Sequence, residues 1–357
     1  IIMNSKPDIF PVLVNGFKNI KLLKDLLIKN KILYGYLNEN FSDHRLKQLF
    51  SRYSTYVGGS PFNSPSILSL IWHVECQGVW RIAGGMYDLV KQIETISKRS
   101  DASFFYKNKV KKILMKNNKI NGIELKNNKV IDCDTIIFNG DPKALFDGLL
   151  GDEIQNAVSN NNINKRSLSA YVWSFAAKTQ GLDLLHHNVL FNKNYKSEFD
   201  DIKRGEIPKD PTLYICAQGS INNPRPKEKS LGRFEIIING SPTYNHKKYN
   251  KQKEYTKCKE ITFSILDSMG LKMDLKPTEE MLTTPKEFEQ LFPGSQGSLY
   301  GRTPHGISST FMRPRNKSKI KGLLLAGGGT HPGAGIPMAC LSGKHAAEMI
   351  LKDLSLT

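Results

Sequence analysis

Apolar residues recur at helical spacing in some stretches of the chain and at every second position in others, which divides it into helical and sheet-forming regions. Near the start, Phe17, Ile20, Leu23 and Leu27 alternate with Lys18, Lys21 and Lys24. This is the pattern of a basic amphipathic helix, which either lies on an anionic membrane surface or simply solvates its lysine face. A second helix is predicted over 41–57, capped by Ser42 or Asp43, with Leu46, Leu49, Phe50 and Tyr53 turned inward. Gly58-Gly59-Ser60-Pro61 breaks it, and Ser64-Pro65 starts another helix over 66–75 with Ile67, Leu68, Ile71 and Trp72 on its apolar face. Residues 79–82 read as a short extended piece, and Gly84-Gly85-Met86 leads into a helix over 87–97.

From 107 to 138 the period changes to two. Val110 and Ile113, Ile120 and Ile123, Val130, and then 136–138 are separated by Asn117-Asn118 and Asn127-Asn128, the signature of a β-meander ending in a buried strand. Asn139-Gly140-Asp141-Pro142 is a sharp turn that places a proline at the first position of a helix over 143–150. Further strands are predicted at 167–177, 213–217 and 234–239, followed by a helix over 251–269, and these form a separate sheet.

The apolar strand Leu323-Leu324-Leu325 then runs into Ala326-Gly-Gly-Gly-Thr-His-Pro-Gly-Ala-Gly-Ile-Pro337 and a closing helix. A glycine turn before a helix start offers unpaired N–H groups and the positive end of the helix dipole, a seat for an anion such as a phosphorylated cofactor. Gly327, Gly329 and Gly333 approach the G-x-G-x-x-G spacing, but Pro332 stands where the last glycine belongs and only one helix of chain follows. The turn therefore closes a cofactor domain rather than opening one.

Length and charge narrow the class. At 357 residues, two intertwined domains are expected. The net charge of +18 attracts anionic lipid headgroups, acidic partners or nucleic acid, yet the lysines are scattered without aromatic interleaving, so no nucleic-acid partner is expected. Five cysteines, odd in number, far apart and without a C-x-x-C pair, argue against a disulfide framework and against a structural zinc site, and suit a reducing, cytoplasmic compartment. The sequons at Asn40 and Asn316 are read as chance. No apolar run approaches the roughly 18 residues of a membrane span, and the start lacks a signal-peptide pattern.

The segments Phe50-Ser-Arg-Tyr-Ser-Thr-Tyr-Val-Gly-Gly-Ser-Pro61, His73-Val-Glu75, Gly78-Val-Trp80, Gly84-Gly-Met86, Asn139-Gly-Asp-Pro142, 211–218, Gly297-Ser-Leu-Tyr-Gly301 and 326–337 with Ser342-Gly343 resemble, in this order, the flavin-dependent carotenoid desaturases, the bacterial phytoene desaturase family. The likeness is greatest to the branch of 1-hydroxycarotenoid 3,4-desaturases, also called methoxyneurosporene dehydrogenases. It implies an α/β (α+β) two-domain flavin oxidoreductase with a discontinuous FAD-binding domain and a sheet-plus-helices substrate domain. The expected division is a helical, substrate- and membrane-facing segment at 1–75, FAD-binding parts at 76–150 and 301–357, and a substrate domain at 151–300. The family opens with a strand, a G-x-G-x-x-G turn and a helix that hold the ADP half of FAD. No such unit occurs here, so an N-terminally truncated sequence is expected.

The resemblance implies FAD held by the Val110 backbone, by Asn139, Gly140 and Asp141, and by Gly327, Gly328, Gly329, Thr330, Gly333, Gly335, Ile336 and Pro337. It implies an acyclic carotenoid substrate in an apolar tunnel, lined by Trp72, Trp80 and Met86 unless these are core residues. A bacterial protein attached peripherally to an anionic membrane, passing electrons to oxygen or a quinone, completes the reading. The alternatives are phytoene desaturase itself, a carotenoid isomerase or retinol saturase-like flavoenzyme, and an inactive truncated fragment that only binds membranes. In this chemistry the flavin performs the difficult step while the protein aligns the chain and excludes water, so no catalytic triad is required. His331 is the one ionisable side chain in the glycine turn, as a proton relay or as a brace for the backbone. Arg81 could meet a substrate hydroxyl, a cofactor phosphate or a surface carboxylate. His73 and Glu75 lack third and fourth ligands nearby, and no metal is expected.

Overall fold

The computed structural model describes residues 32–218, 231–245, 250–306, 309 and 312–354. The basic helix expected over 17–27 lies outside them. The first described elements are helices α1 (Leu33–Asn40) and α2 (His44–Ser51), the latter capped by Asp43, whose carboxylate accepts from the Arg45 N–H at 2.8 Å. The helix expected to run to 57 tightens into a 3₁₀ turn over Arg52–Val57. There Ser54 and Thr55 hydroxyls donate back to the Ser51 and Arg52 carbonyls, and Gly58, at φ +72°, ends it. Leu46 and Leu49, expected to face inward, stand exposed instead, because the side of α2 that is covered is the one bearing Ser51.

The helix expected over 66–75 is likewise a 3₁₀ turn (Ser66–Ser69) followed by α3 (Leu70–Glu75), and 79–82 pair with no strand. Helix α4 (Met86–Arg99) buries none of its residues, and Tyr87, Val90, Ile93 and Ile96 are open to solvent.

The three-stranded meander forms as expected, but the strand over 136–138, expected to end it buried, leaves Ile137 exposed. Strands β1 (Val110–Lys116), β2 (Lys119–Leu125) and β3 (Val130–Asp132) are antiparallel neighbours. Asn117 and Asn118 both adopt φ near +55°, the left-handed pair that a two-residue hairpin with the native twist demands. Strand β4 (Ile136–Phe138) leaves this sheet. It pairs in parallel with β11 (Leu323–Leu325), with Ile136 opposite Leu323 and Phe138 opposite Leu325. Ile113, Ile120, Leu145, Ile154, Leu323 and Leu325 form the core beneath this region. Helix α5 (Pro142–Phe146) covers it, shorter than expected.

The separate sheet is antiparallel, in the order β10-β5-β8-β7-β6, with β9 extending β5. Its strands are β5 (Ser169–Gly181), β6 (His187–Leu190), β7 (Leu213–Ala217), β8 (Gly232–Gly240), β9 (Leu271–Asp274) and β10 (Leu282–Thr283). Helix α6 (Tyr195–Lys203) lies between β6 and β7. Helix α7 (Lys251–Ser268) is capped by Asn250 and buries Cys258, Thr262 and Leu266, residues four apart and so on one face. Trp173 is fully buried against it and donates its indole N–H to the Thr262 hydroxyl at 3.2 Å, which satisfies the polar end of a large apolar side chain. Helix α8 (Pro285–Leu291) opens with a capping box between Thr284 and Glu287. Helix α9 (Ile336–Leu354) closes the fold. Among the described residues no helix is long and apolar enough to cross a membrane.

Candidate functional site

The parallel pair β4–β11 ends both strands at the same level, so the turns that follow them meet. The Ala326 N–H donates to the Phe138 carbonyl at 3.0 Å and continues the pairing one residue beyond the strands. Gly327 then turns at φ +104° beside Asn139, and a Cβ at Gly327 would collide with the Asn139 side-chain oxygen. A Cβ on Gly329 would lie 2.9 Å from the Pro142 ring. Glycine is needed here for close approach as well as for conformation.

Behind this turn, Asn316 is fully buried and donates its amide to the Leu325 carbonyl, the Ser342 carbonyl and the Ser342 hydroxyl at 2.9, 3.0 and 2.9 Å. The Gly327 N–H donates to the same Ser342 hydroxyl at 3.2 Å. Asn316 therefore joins β11, the glycine turn and α9. Its sequon has no bearing on glycosylation in this fold, since the amide nitrogen is enclosed.

Three buried arginines surround the turn. Arg313 donates to the Gly328 carbonyl at 2.9 Å, the Tyr300 carbonyl at 2.8 Å and the Arg302 carbonyl at 3.0 Å. Arg166 pairs with Asp141 and donates to the Ser295 carbonyl at 3.0 Å, while Arg302 donates to the Asn161 carbonyl. Among the described residues, Asp141 is the only carboxylate paired with any of the three. Burial, and then the Arg166 charge, pull the Arg313 guanidinium down to about 10, and it remains a cation at neutral pH. The neighbourhood of the turn thus carries more buried positive than negative charge. Low dielectric strengthens the attraction of such a cluster for an anion.

A second glycine loop packs on the same region. The Leu168 N–H donates to the Gly58 carbonyl at 2.9 Å, the Ser60 N–H donates to His305 Nε2 at 2.9 Å, and a Cβ on Gly301 would lie 2.9 Å from the Gly329 Cα. Burial, and then Lys165, push the His305 imidazole down to about 4, consistent with Nε2 acting as an acceptor. The unfolded histidine takes up a proton near pH 6.5 and the folded one near pH 4, so stability present above pH 6.5 is lost as pH falls through that window. The expected loss is up to about 3 kcal/mol. His305→Gln, which keeps an acceptor without a titration, should flatten the stability profile between those limits in denaturant unfolding. An unchanged profile would contradict this account.

Of the residues expected to hold a cofactor, Asn139, Gly140, Asp141, Gly327, Gly328, Gly329 and Thr330 gather around this one turn, and Gly333 stands beside Arg313. Gly335, Ile336 and Pro337 are exposed at the start of α9, whose first N–H groups have no helical partner. Val110 is half-buried at the end of β1 opposite the Asn117-Asn118 turn, paired with Leu125. The Asp141 side chain is committed to Arg166 and to capping α5 through the Lys143 N–H at 2.9 Å. His331 is buried, its ring stacked 6.5 Å from that of His345, and its backbone N–H donates to the Pro314 carbonyl at 2.8 Å. Trp72, Trp80 and Met86 belong to none of the buried clusters and are 47%, 80% and 52% exposed, with Trp72 packed edge-on against Phe50. Arg81 is exposed as well. Arg166, Arg302, Arg313 and Asn316 were missed from sequence, because nothing in their local pattern separates them from surface residues.

A glycine turn on a parallel strand pair, backed by buried cations and abutting a helix start, beside a separate antiparallel sheet, is the arrangement expected of a two-domain flavin oxidoreductase. An oxidoreductase from Methanosarcina mazei has the same fold, with a TM-score of 0.52 at 14% identity over 92% of this chain and 71% of its own. Residues 265–351 match the family described as flavin containing amine oxidoreductase. Over 350 residues the chain is 43% identical to hydroxyneurosporene desaturase of Rhodobacter capsulatus, covering 98% of this chain and 67% of that protein. It is 45% identical over 315 residues to the protein of the same name from Cereibacter sphaeroides, covering 88% of this chain and 62% of that one. The chain belongs to the FAD-dependent carotenoid desaturase family, and it spans about three fifths to two thirds of the length of these relatives.

The residues present fit FAD. The Thr330 hydroxyl is fully buried within the turn and has no hydrogen-bond partner in the protein, a polar group of the kind that a bound ligand satisfies. The Gly328 backbone, where a Cβ would meet nothing closer than 3.8 Å, and the excess of buried cations suit a flat, anionic group.

Proposed function

We propose that the protein catalyses FAD-dependent desaturation of an acyclic carotenoid, 3,4-desaturation of a 1-hydroxy or 1-methoxy carotenoid. The observation that carries this reading is the glycine turn with the orphaned Thr330 hydroxyl, in a chain similar along nearly its whole length to hydroxyneurosporene desaturases. When bound, FAD accepts the hydride removed from the carotenoid, and a proton leaves with it. The chain's own residues do the rest. Gly327, Gly328 and Gly329 allow close backbone approach, Thr330 offers its hydroxyl, and Gly333, Gly335, Ile336 and Pro337 present the helix start. The turn at Asn139, Gly140 and Asp141 borders the cofactor, with the Val110 backbone at its adenine end. The backbone N–H of His331 ties the turn to the Pro314 carbonyl, and its buried ring, beside that of His345, serves to brace the turn rather than to relay a proton. Trp72, Trp80 and Met86 form an apolar approach for a long hydrocarbon. The net charge of +18 suits attachment to an anionic membrane that dissolves the substrate, with a quinone or oxygen as the final acceptor.

The test is product analysis with the full-length flavin-loaded protein and a 1-hydroxylated acyclic carotenoid in vesicles. Desaturation lowers the mass by two hydrogens and shifts the polyene absorbance to longer wavelength. Isomerisation leaves the mass unchanged. Retained flavin with an unaltered product mass would sink the desaturase reading.

A further inference from the structure

Away from the glycine turn, at the outer edge of the six-stranded sheet, two imidazoles and a thiol converge. His187 on β6 is the register partner of Cys216 on β7, and His186 precedes it at the strand's start. One ligand atom from each of the three lies within 4.8 Å of the other two. His186 Nε2 is 3.8 Å from Cys216 Sγ. In a tetrahedral zinc site with bonds of about 2.0–2.1 Å to nitrogen and about 2.3 Å to sulfur, those atoms would be about 3.6 Å apart, so this pair is already close to ligating distance. The other separations, at most 4.8 Å, close by up to about an ångström, a shift within reach of the exposed His187 side chain on the edge strand with its Nδ1 still at the Tyr214 hydroxyl.

The other nitrogen of each ring is already engaged. His186 Nδ1 lies 3.3 Å from the Ala217 carbonyl, and His187 Nδ1 lies 2.6 Å from the Tyr214 hydroxyl. A carbonyl can only accept, so His186 carries its proton on Nδ1 and turns the Nε2 lone pair toward Cys216. Such outer partners fix the tautomer and orientation of metal-binding histidines. The backbone adds rigidity, because the Ala217 N–H donates to the His186 carbonyl at 2.9 Å.

We propose that His186, His187 and Cys216 form a zinc-binding site that clips edge strand β6 to β7, independent of the flavin site. The two neutral imidazoles and the thiolate give a borderline-soft N₂S donor set, with water completing the tetrahedron. On binding, the Cys216 S–H bond breaks, a sulfur–zinc bond forms and the proton passes to solvent, with no change in oxidation state. Burial, and then Glu235 on the facing strand β8, hold the metal-free thiol above its ordinary range, so it stays protonated until a cation arrives. Burial, then His186 and Arg81, hold the His187 imidazole below its ordinary range and keep it available as a neutral ligand. The Glu235 carboxylate offsets the added positive charge, whereas Arg81 opposes it.

Titration of the full chain with Zn²⁺ against a chromogenic chelator tests the site, in a Cys76→Ser, Cys340→Ser background that removes the two exposed thiols. One Zn²⁺ per chain with release of one proton is expected, and Co²⁺ in its place should show a thiolate-to-metal charge-transfer band. Cys216→Ser should abolish that band, and His187→Gln should weaken Zn²⁺ binding at least about 100-fold. Because His187 is exposed, its variant folds whether or not the Cys216 variant does. No binding in competition with the chelator, or binding that His187→Gln leaves unchanged, would overturn the proposal.

Discussion

Arg166→Met should be among the most destabilising single substitutions in the protein, at about 3–5 kcal/mol in denaturant unfolding. The side chains of Arg166 and Asp141 are 1% and 9% exposed, so removal of the guanidinium strands a carboxylate out of water. The Ser295 carbonyl, which accepts from two Arg166 nitrogens, loses its partner as well. The reverse change, Asp141→Asn, should cost less. An asparagine oxygen can still accept from the Lys143 N–H and cap α5, and Arg166 keeps its carbonyl partners. If the pair acts as a unit, the double variant will be more stable than the sum of the two single losses allows. A loss below about 1 kcal/mol for Arg166→Met would mean that water reaches Asp141 and that the buried-charge account is wrong.

That pair also marks where sequence reading stops. The β-meander was legible because its signals are local. Alternating apolar residues set the faces of β1 and β2, and two asparagines in succession meet the conformational demand of a two-residue turn. Asp43, Pro142 and the spacing of α7 were legible for the same reason. Strands β6, β9 and β10 were not. They are short, lack clean alternation, and become strands only because β7 and β5 present them with unpaired backbone groups.

The candidate site divides along the same line. Gly327, Gly328, Gly329 and Thr330 announce themselves, since an unbroken run of small residues after an apolar strand has few other uses. Arg166, Arg302 and Arg313 are far apart in sequence; Arg166 and Arg302 sit among polar or glycine neighbours as a surface arginine would, and the short Phe311-Met312 stretch before Arg313 carries no periodic pattern that predicts burial. Their burial follows from long-range packing of 295–302 against 163–168 and against the turn itself, a juxtaposition that no local pattern encodes. Leu46 and Leu49 fail in the opposite direction. Helical spacing says that such residues share a face, but it does not say that anything covers that face.

Gly327→Ala should lower flavin occupancy more than about tenfold while leaving the six-stranded sheet folded. At φ +104° an alanine is held in a region that costs an L-residue about 1–2 kcal/mol, and its Cβ would also displace the Asn139 side chain. Both effects fall on the two turns proposed to border the cofactor. Neither reaches Trp173 or Leu266, which lie in the other core. The steric part can be separated from the conformational part. Asn139→Ala in the Gly327→Ala background frees the space and should recover some of the lost occupancy, whereas the φ penalty remains. Gly343→Ala is the matched control. It lies within α9 with no atom near the added Cβ, so it should leave flavin untouched and add up to about 1 kcal/mol of stability by favouring the helix. Flavin absorbance of the purified full-length proteins, set beside their far-ultraviolet circular dichroism, distinguishes these cases. Equal flavin content in the Gly327→Ala variant and the parent would show that the cofactor does not approach this turn, and the assignment of 327–330 to flavin binding would fall with it.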